Sequence, residues 1–269
     1  MKLRDGHIHS PYCPHGSKDS FTRYIERAIE LGYDEISFME HAPLPKSFTD
    51  PTPDKDSGMK MDHLEQYFYD LSDLKKAYKK DLAIQTGLEV DFIKGFETET
   101  ASFLTEYGKE LDDSILSVHF LLKDGIYDCM DFSHQVFKRM ITRYGSSDSI
   151  HEAYYQTVLD SIMADLGSFK PKRIGHITLA RKFQLKYPFA KSHSHLIDAI
   201  LKAVQETGSE LDYNGAGAVK PYCREVYPSE DIVAKAVHMG IPLVYGSDAH
   251  QADDLNQGRE QLILPSDLS

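Results

Sequence analysis

Apolar residues along this chain alternate between two periods. Short runs of four to eight apolar or β-branched residues read as buried strands, and stretches with apolar residues three and four apart read as helices. The first run is Leu3–His9, and Ser20 opens a helix carrying Tyr24, Ile25, Ala28, Ile29 and Leu31, stopped at Gly32. A second strand, Glu35–Glu40, ends at His41, and a Pro-rich loop follows from Ala42 to Lys60. That loop is long enough for an active-site lid, with Phe48 as the residue to close over a substrate ring. The spacing then predicts a helix from Asp62 to Tyr78, a strand Leu82–Val90, a helix Glu97–Glu110 and a strand Ser114–His119. Phe120 to Gly145 shows no clean period. Beyond it come helix Ser149–Leu166, strand Arg173–Ile177, helix Ser192–Glu206, strand Glu210–Asn214, helix Ser229–His238 and strand Pro242–Gly246.

Strands of this length separated by helices predict parallel βα units, and seven of them predict a closed or nearly closed α/β barrel. A doubly wound open sheet is the alternative, but no strand is followed by the GxGxxG turn that would support it. With no internal repeat or low-complexity tract, residues 1–269 read as a single domain.

Composition narrows the function. The formal net charge is −12, from 42 acids and 30 bases, which argues against a broad nucleic-acid-binding surface. The opening MKLRDGHIHS has no apolar leader and no window is apolar enough for a membrane span, so a soluble cytoplasmic protein free of membrane is expected. Cys13, Cys129 and Cys223 are odd in number and widely spread, which implies no disulfide framework.

The 13 histidines carry the chemistry through their positions. In a βα barrel, reacting groups gather at the C-terminal ends of the strands. The first five predicted strands end at His9, His41, Glu89, His119 and His176, and the seventh delivers Asp248 and His250. His7 and His9 lie two apart on one strand and share a face, as Asp248 and His250 would. His15 follows in the loop after the first strand. Such a rim of imidazoles and carboxylates is a metal site in its donor chemistry. His63, His134, His151, His193, His195 and His238 fall on predicted helices or their starts and read as solvated faces.

The motifs His7-Ile8-His9, His15, Glu40-His41, Gly87-Leu88-Glu89, Ser117-Val118-His119, Gly175-His176 and Ser247-Asp248-Ala249-His250 occur in order across nearly the whole chain. Together they resemble the PHP (polymerase and histidinol phosphatase) family of metal-dependent phosphoesterases. The resemblance implies a distorted (β/α)7 barrel and up to three divalent ions, zinc, iron or manganese. It implies that His7, His9, Glu89 and Asp248 hold one ion. Glu89 would bridge to a second on His119 and His176, and His15, His41 and His250 would hold a third. Within the family, the stretches 176–183 and 220–228 are most similar to the histidinol-phosphatase branch. That implies hydrolysis of L-histidinol phosphate, a step of histidine biosynthesis, by a metal-activated hydroxide, with Glu89 and Asp248 as catalytic carboxylates.

A small phosphomonoester substrate needs cationic side chains at the barrel mouth. Arg181 and Arg224 are expected to bind its phosphate, because a guanidinium fork matches phosphate oxygens; Lys182 and Lys220 are weaker candidates. Asp248 could give the leaving group its proton, although as a ligand it would be anionic. Three other readings compete: a family member acting on phosphotyrosine or a nucleotide, a two-metal amidohydrolase-type enzyme, and a non-catalytic metal-binding regulatory module. His15, His41 and His250 exceed what a two-metal enzyme requires, and a degenerate module would be expected to have lost ligands.

Overall fold

A computed structural model describes residues 2–262. Seven parallel strands run in the order β1 (Arg4–Ile8), β2 (Glu35–His41), β3 (Ala83–Asp91), β4 (Asp113–Ser117), β7 (Arg173–Ile174), β8 (Glu210–Asn214) and β9 (Leu243–Gly246). Between β4 and β7 lies an antiparallel hairpin, β5 (Phe120–Lys123) and β6 (Ile126–Cys129). The helices are α1 (Phe21–Glu30), α2 (Leu64–Tyr78), α3 (Glu97–Tyr107), α4 (His134–Tyr144), α5 (Ser147–Met163), α6 (Ser194–Thr207), the short α7 (Ala216–Val219) and α8 (Glu230–His238). A backbone zipper joins the two ends of the sheet: the His9 amide donates to Ala249 O at 2.9 Å, and the Asp248 amide donates to His7 O at 2.7 Å. The barrel expected from the βα alternation is therefore present and nearly closed.

Local sequence explains the elements. Ser20, Ser133 and Ser146 cap α1, α4 and α5 by accepting the amides of Arg23, Val136 and Ser149. Phe21, Tyr24, Ile25 and Ala28 make the buried face of α1 at helical spacing. On the strands, Gly87 is small because a Cβ there would lie 2.4 Å from Met39 Sδ on β2. Beneath α2, the Tyr67 hydroxyl donates to the carbonyls of Phe38 and Gly87, tying helix to sheet.

Several expectations need correction. Phe120–Gly145, which shows no clean period, is the β5–β6 hairpin followed by α4; Asp124-Gly125 makes the hairpin turn with both residues at positive φ. The fifth strand is only two residues long. Phe48 does not hang over the barrel mouth. It packs against Phe96, Phe120 and Tyr127, so the 42–60 loop is pinned to the hairpin. His151 and His193 are buried rather than solvated: their rings lie 5.8 Å apart, with Phe189 4.3 Å from His151. Burial accordingly holds His151 neutral, with its pKa lowered to about 3.

At the N-terminal end the barrel is closed by charge. Arg4, Glu35, Asp113, Arg173 and Glu210 are the first residues of β1, β2, β4, β7 and β8. Arg173 is 1% exposed. Its guanidinium reaches both Asp113 oxygens at 2.7 and 2.8 Å, Glu210 at 2.9 Å and the Gly6 carbonyl at 2.8 Å. Gly6 leaves that space, since a Cβ there would meet Arg173 Nη1 at 2.9 Å. Removing one partner of a buried charge cluster leaves the others uncompensated. Arg173→Met is expected to cost about 3–5 kcal/mol of stability, measured by urea denaturation; a loss below about 1 kcal/mol would make the cluster incidental.

Candidate metal centre

At the opposite end, the strand tips converge on the buried carboxylate of Glu89. Its Oε2 lies 3.1 Å from His41 Nδ1, 3.4 Å from His7 Nε2 and 3.7 Å from His9 Nε2. Its Oε1 lies 3.0 Å from His176 Nε2 and 3.7 Å from His119 Nε2, and accepts the Ser117 hydroxyl at 2.6 Å. Asp248 Oδ1 sits 3.0 Å from His9 Nε2 and 3.8 Å from His7 Nε2. His250 stacks on His9, with centroids 3.9 Å apart. His15 stands beside His41 and His250 at 5.0 and 5.2 Å, exposed at the rim, with Nδ1 bonded to the Asp56 carbonyl at 2.8 Å.

Three carboxylates behind the rim fix which nitrogen of each ring faces inward. His7 Nδ1 donates to Asp212 at 2.9 Å, His119 Nδ1 to Asp91 at 2.8 Å and His9 Nδ1 to Glu40 at 3.4 Å. With Nδ1 occupied, Nε2 of each ring is the atom left facing the centre, the usual second layer of a metal site. Asp248 is held in the left-handed region at φ +55°. Asn214 bridges its Oδ2 to Asp212, and Gln257 bonds the carbonyls of Ser247 and Asp248.

Charge at the centre follows from this geometry. Burial alone would raise the Glu89 and Asp248 carboxyls, yet the surrounding imidazoles hold both well below the usual carboxylate range. Burial likewise opposes charge on His7 and His9, but Asp212, Glu89 and Asp248 for the first, and Asp248, Cys13 and Glu40 for the second, push both well above the usual histidine value. Asp91 and Glu89 push His119 up to about 10. His250, half-buried against His9, goes the other way, lowered by desolvation and by the neighbouring His9. The centre thus demands positive charge. Ions fit it: the donors fall into the sets His7/His9/Glu89, Glu89/His119/His176 and His9/Cys13/His41/His250, each with its atoms within 4.8 Å of one another. Buried His7 Nε2 and His41 Nδ1 face Glu89 Oε2 without making a hydrogen bond among the described residues.

A cavity of about 410 Å³ opens over the centre, lined among others by Asp56, Asp131, Lys182, Lys220 and Tyr227. The arginine expectation is not met by this geometry. The Arg181 guanidinium is paired with Glu225 at 2.8 Å and with the Ser229 hydroxyl at 2.9 Å, and Arg224 is exposed. Neither lines the cavity, whereas Lys182 and Lys220 do. Lys182 is held by Asp131 at 2.9 Å. Sequence reasoning missed Asp212, Asp91 and Asp131, and gave Glu40 and Cys13 no role at the site. Asp212 and Asp91 had a signal, since each is two residues from a tip residue on its strand and shares its face.

Comparison with known proteins places the chain in a family. The PHP domain model matches residues 5–216. The histidinol-phosphatase of Bacillus subtilis is 49% identical, covering 98% of this chain and 99% of that protein. A probable histidinol-phosphatase of Deinococcus radiodurans is 30% identical over 94% of this chain and 88% of that protein. A crystal structure of a Listeria monocytogenes protein proposed to be a histidinol phosphatase superposes with TM-score 0.93 at 40% identity, covering 97% of this chain and all of that one. The Lactococcus lactis histidinol phosphate phosphatase, crystallised with zinc, L-histidinol and phosphate, shares the fold at TM-score 0.72 and 20% identity, over 93% of this chain and 87% of that one. On the family model and these near full-length relatives, the chain belongs to the PHP domain family.

Proposed function

We propose that this protein is a metal-dependent phosphomonoesterase that hydrolyses L-histidinol phosphate to L-histidinol and phosphate. The observation that carries the reading is Glu89, whose two oxygens face two separate sets of imidazoles at the floor of a cavity of about 410 Å³. That volume lies in the range of small-molecule sites, and the near full-length 49% identity to a histidinol-phosphatase supports the substrate. His7, His9, Glu89 and Asp248 would hold one divalent ion, and Glu89, His119 and His176 a second. His41 and His250, with His15 at the rim, would hold a third. Imidazole and carboxylate donors suit zinc, iron or manganese. Divalent ions held there acidify water, supplying a nucleophile at neutral pH, and neutralise the phosphoryl oxygens.

The chain's own groups do the rest. Asp248 is a carboxylate that accepts from His9 and Asn214, which suits a ligand or orienting base and not a proton donor. Lys182 is the cation nearest to hand for the substrate phosphate, kept at the cavity wall by Asp131. Asp56 and Asp131 offer carboxylates to the substrate ammonium. No helix among the described residues is long and apolar enough to cross a membrane.

Phosphate release from histidinol phosphate, set against a panel including phosphotyrosine and nucleotide monoesters, tests the reading. Turnover should require divalent metal, and Glu89→Gln should abolish it while lowering bound metal; preference for another monoester would overturn the substrate. Lys182→Ala should raise KM by about tenfold or more with metal content unchanged. A silent Lys182→Ala beside an impaired Arg181→Ala would return the phosphate to the arginine. His7, His9 and His119 have raised pKa values, so without ions they carry protons at pH 7, and ions must displace them. Zinc loading at pH 7 should therefore release about two or more protons, and affinity should rise with pH. Calorimetry in buffers of differing ionisation enthalpy measures this, and zero net release would contradict it.

A further inference from the structure

The turn after β1 brings a thiol to the metal centre. Cys13 belongs to a surface loop between Pro11 and Gly16, yet it is fully buried. Its amide donates to the Ser10 carbonyl at 3.0 Å, and Lys18 Nζ bonds its carbonyl at 2.9 Å, so the turn is fixed on both sides. Its Sγ joins His9, His41 and His250 in a set of four donors that all lie within 4.8 Å of one another.

Two further observations point to a ligand there. His41 is 7% exposed, and its Nδ1, which faces Glu89 Oε2 at 3.1 Å, makes no hydrogen bond among the described residues, so this ring stands between the Glu89 carboxylate and the Cys13 set. Gly16 is packed against the thiol: a Cβ there would lie 3.2 Å from Cys13 Sγ and 3.2 Å from the His250 carbonyl, which also accepts the Ser17 amide at 2.8 Å. The turn is thus clamped to the segment that carries His250. A buried structural cysteine usually sits among aliphatic groups as a small hydrophobe. Cys13 has imidazoles for neighbours instead, while His15 stands exposed with Nδ1 turned to Asp56.

We propose that Cys13 is a metal ligand, its thiolate binding the ion held by His41 and His250, on the inner side from His15. This rests on the metal-centred reading above. On binding, the Sγ–metal bond forms and the thiol proton leaves to solvent. A thiolate makes this the softest of the three positions, one that favours zinc over manganese.

Cobalt(II) is the probe, because a thiolate ligand gives it a near-ultraviolet charge-transfer band that imidazole and carboxylate do not. The band should appear in the cobalt-loaded wild type and in Cys129→Ser/Cys223→Ser, where Cys13 is the remaining cysteine, and be lost in Cys13→Ser. Should Cys13→Ser fail to fold, zinc-edge X-ray absorption on the Cys129→Ser/Cys223→Ser protein decides, with a Zn–S distance of about 2.3 Å expected. Bound cobalt without the band, a band that survives Cys13→Ser, or zinc with no sulfur neighbour would each overturn the proposal. Histidinol phosphate hydrolysis with no sulfur ligation would sink this proposal alone, whereas failure to bind cobalt or zinc at all would sink both readings.

Discussion

Everything at the C-terminal end of the barrel depends on keeping the Glu89 carboxylate charged in a dry place. An isolated buried carboxylate would take a proton. Glu89 stays anionic because each of its oxygens faces its own group of rings, His7, His9 and His41 on one side and His119 and His176 on the other. Three of those rings, His7, His119 and His9, have their other nitrogen held from behind by Asp212, Asp91 and Glu40. The added carboxylates raise the demand for positive charge again. Imidazolium protons can meet it, and divalent ions meet it better, since one ion answers two charges and takes several donors at once.

The same constraint explains why the barrel must close. His7 and His9 come from the first strand, while Asp248 and His250 follow the last. They share a site only because the backbones of residues 7–9 and 248–249 are bonded directly. A closed ring of strands leaves a narrow base, and here Arg173 fills it, bound to carboxylates at the starts of neighbouring strands. Charge therefore sits at both ends of the barrel, between apolar layers of helix. The base cluster sets Arg4 and Arg173 against Glu35, Asp113 and Glu210 and serves stability; the rim gathers imidazoles and carboxylates around a cavity and serves chemistry.

How much of this was legible follows from which signals are local. The strand tips could be read because a period of two assigns His7 and His9 to one face without knowledge of any neighbour. The same rule reached Asp212 and Asp91 in principle, but a carboxylate behind a ring is defined by a partner 205 or 28 residues away, and spacing does not name partners. The β5–β6 hairpin was missed despite its Asp-Gly turn, because Phe120–Lys123 and Ile126–Cys129 are four residues each, too short to show a period. His151 and His193 were misread for a different reason. Polar residues on helices are usually solvated, and only tertiary packing shows that His151, on α5, meets Phe189 and His193.

Arg181 and Lys182 show the limit most sharply, since the two are adjacent and the structure sends them to different places. They lie in the tight helical turn Leu179–Phe183, where about three residues complete a turn, so consecutive side chains diverge by about 120°. Arg181 is aimed at Glu225 and Ser229, and its Nη1 holds the 220–229 loop to the turn. Lys182 is aimed into the cavity. On the phosphatase reading, the anion then meets ammonium groups, Lys182 with Lys220, instead of a rigid fork. A point charge neutralises a phosphate without dictating its orientation, so orientation falls to the ions and carboxylates beneath, and Asp131 keeps Lys182 in place between substrates.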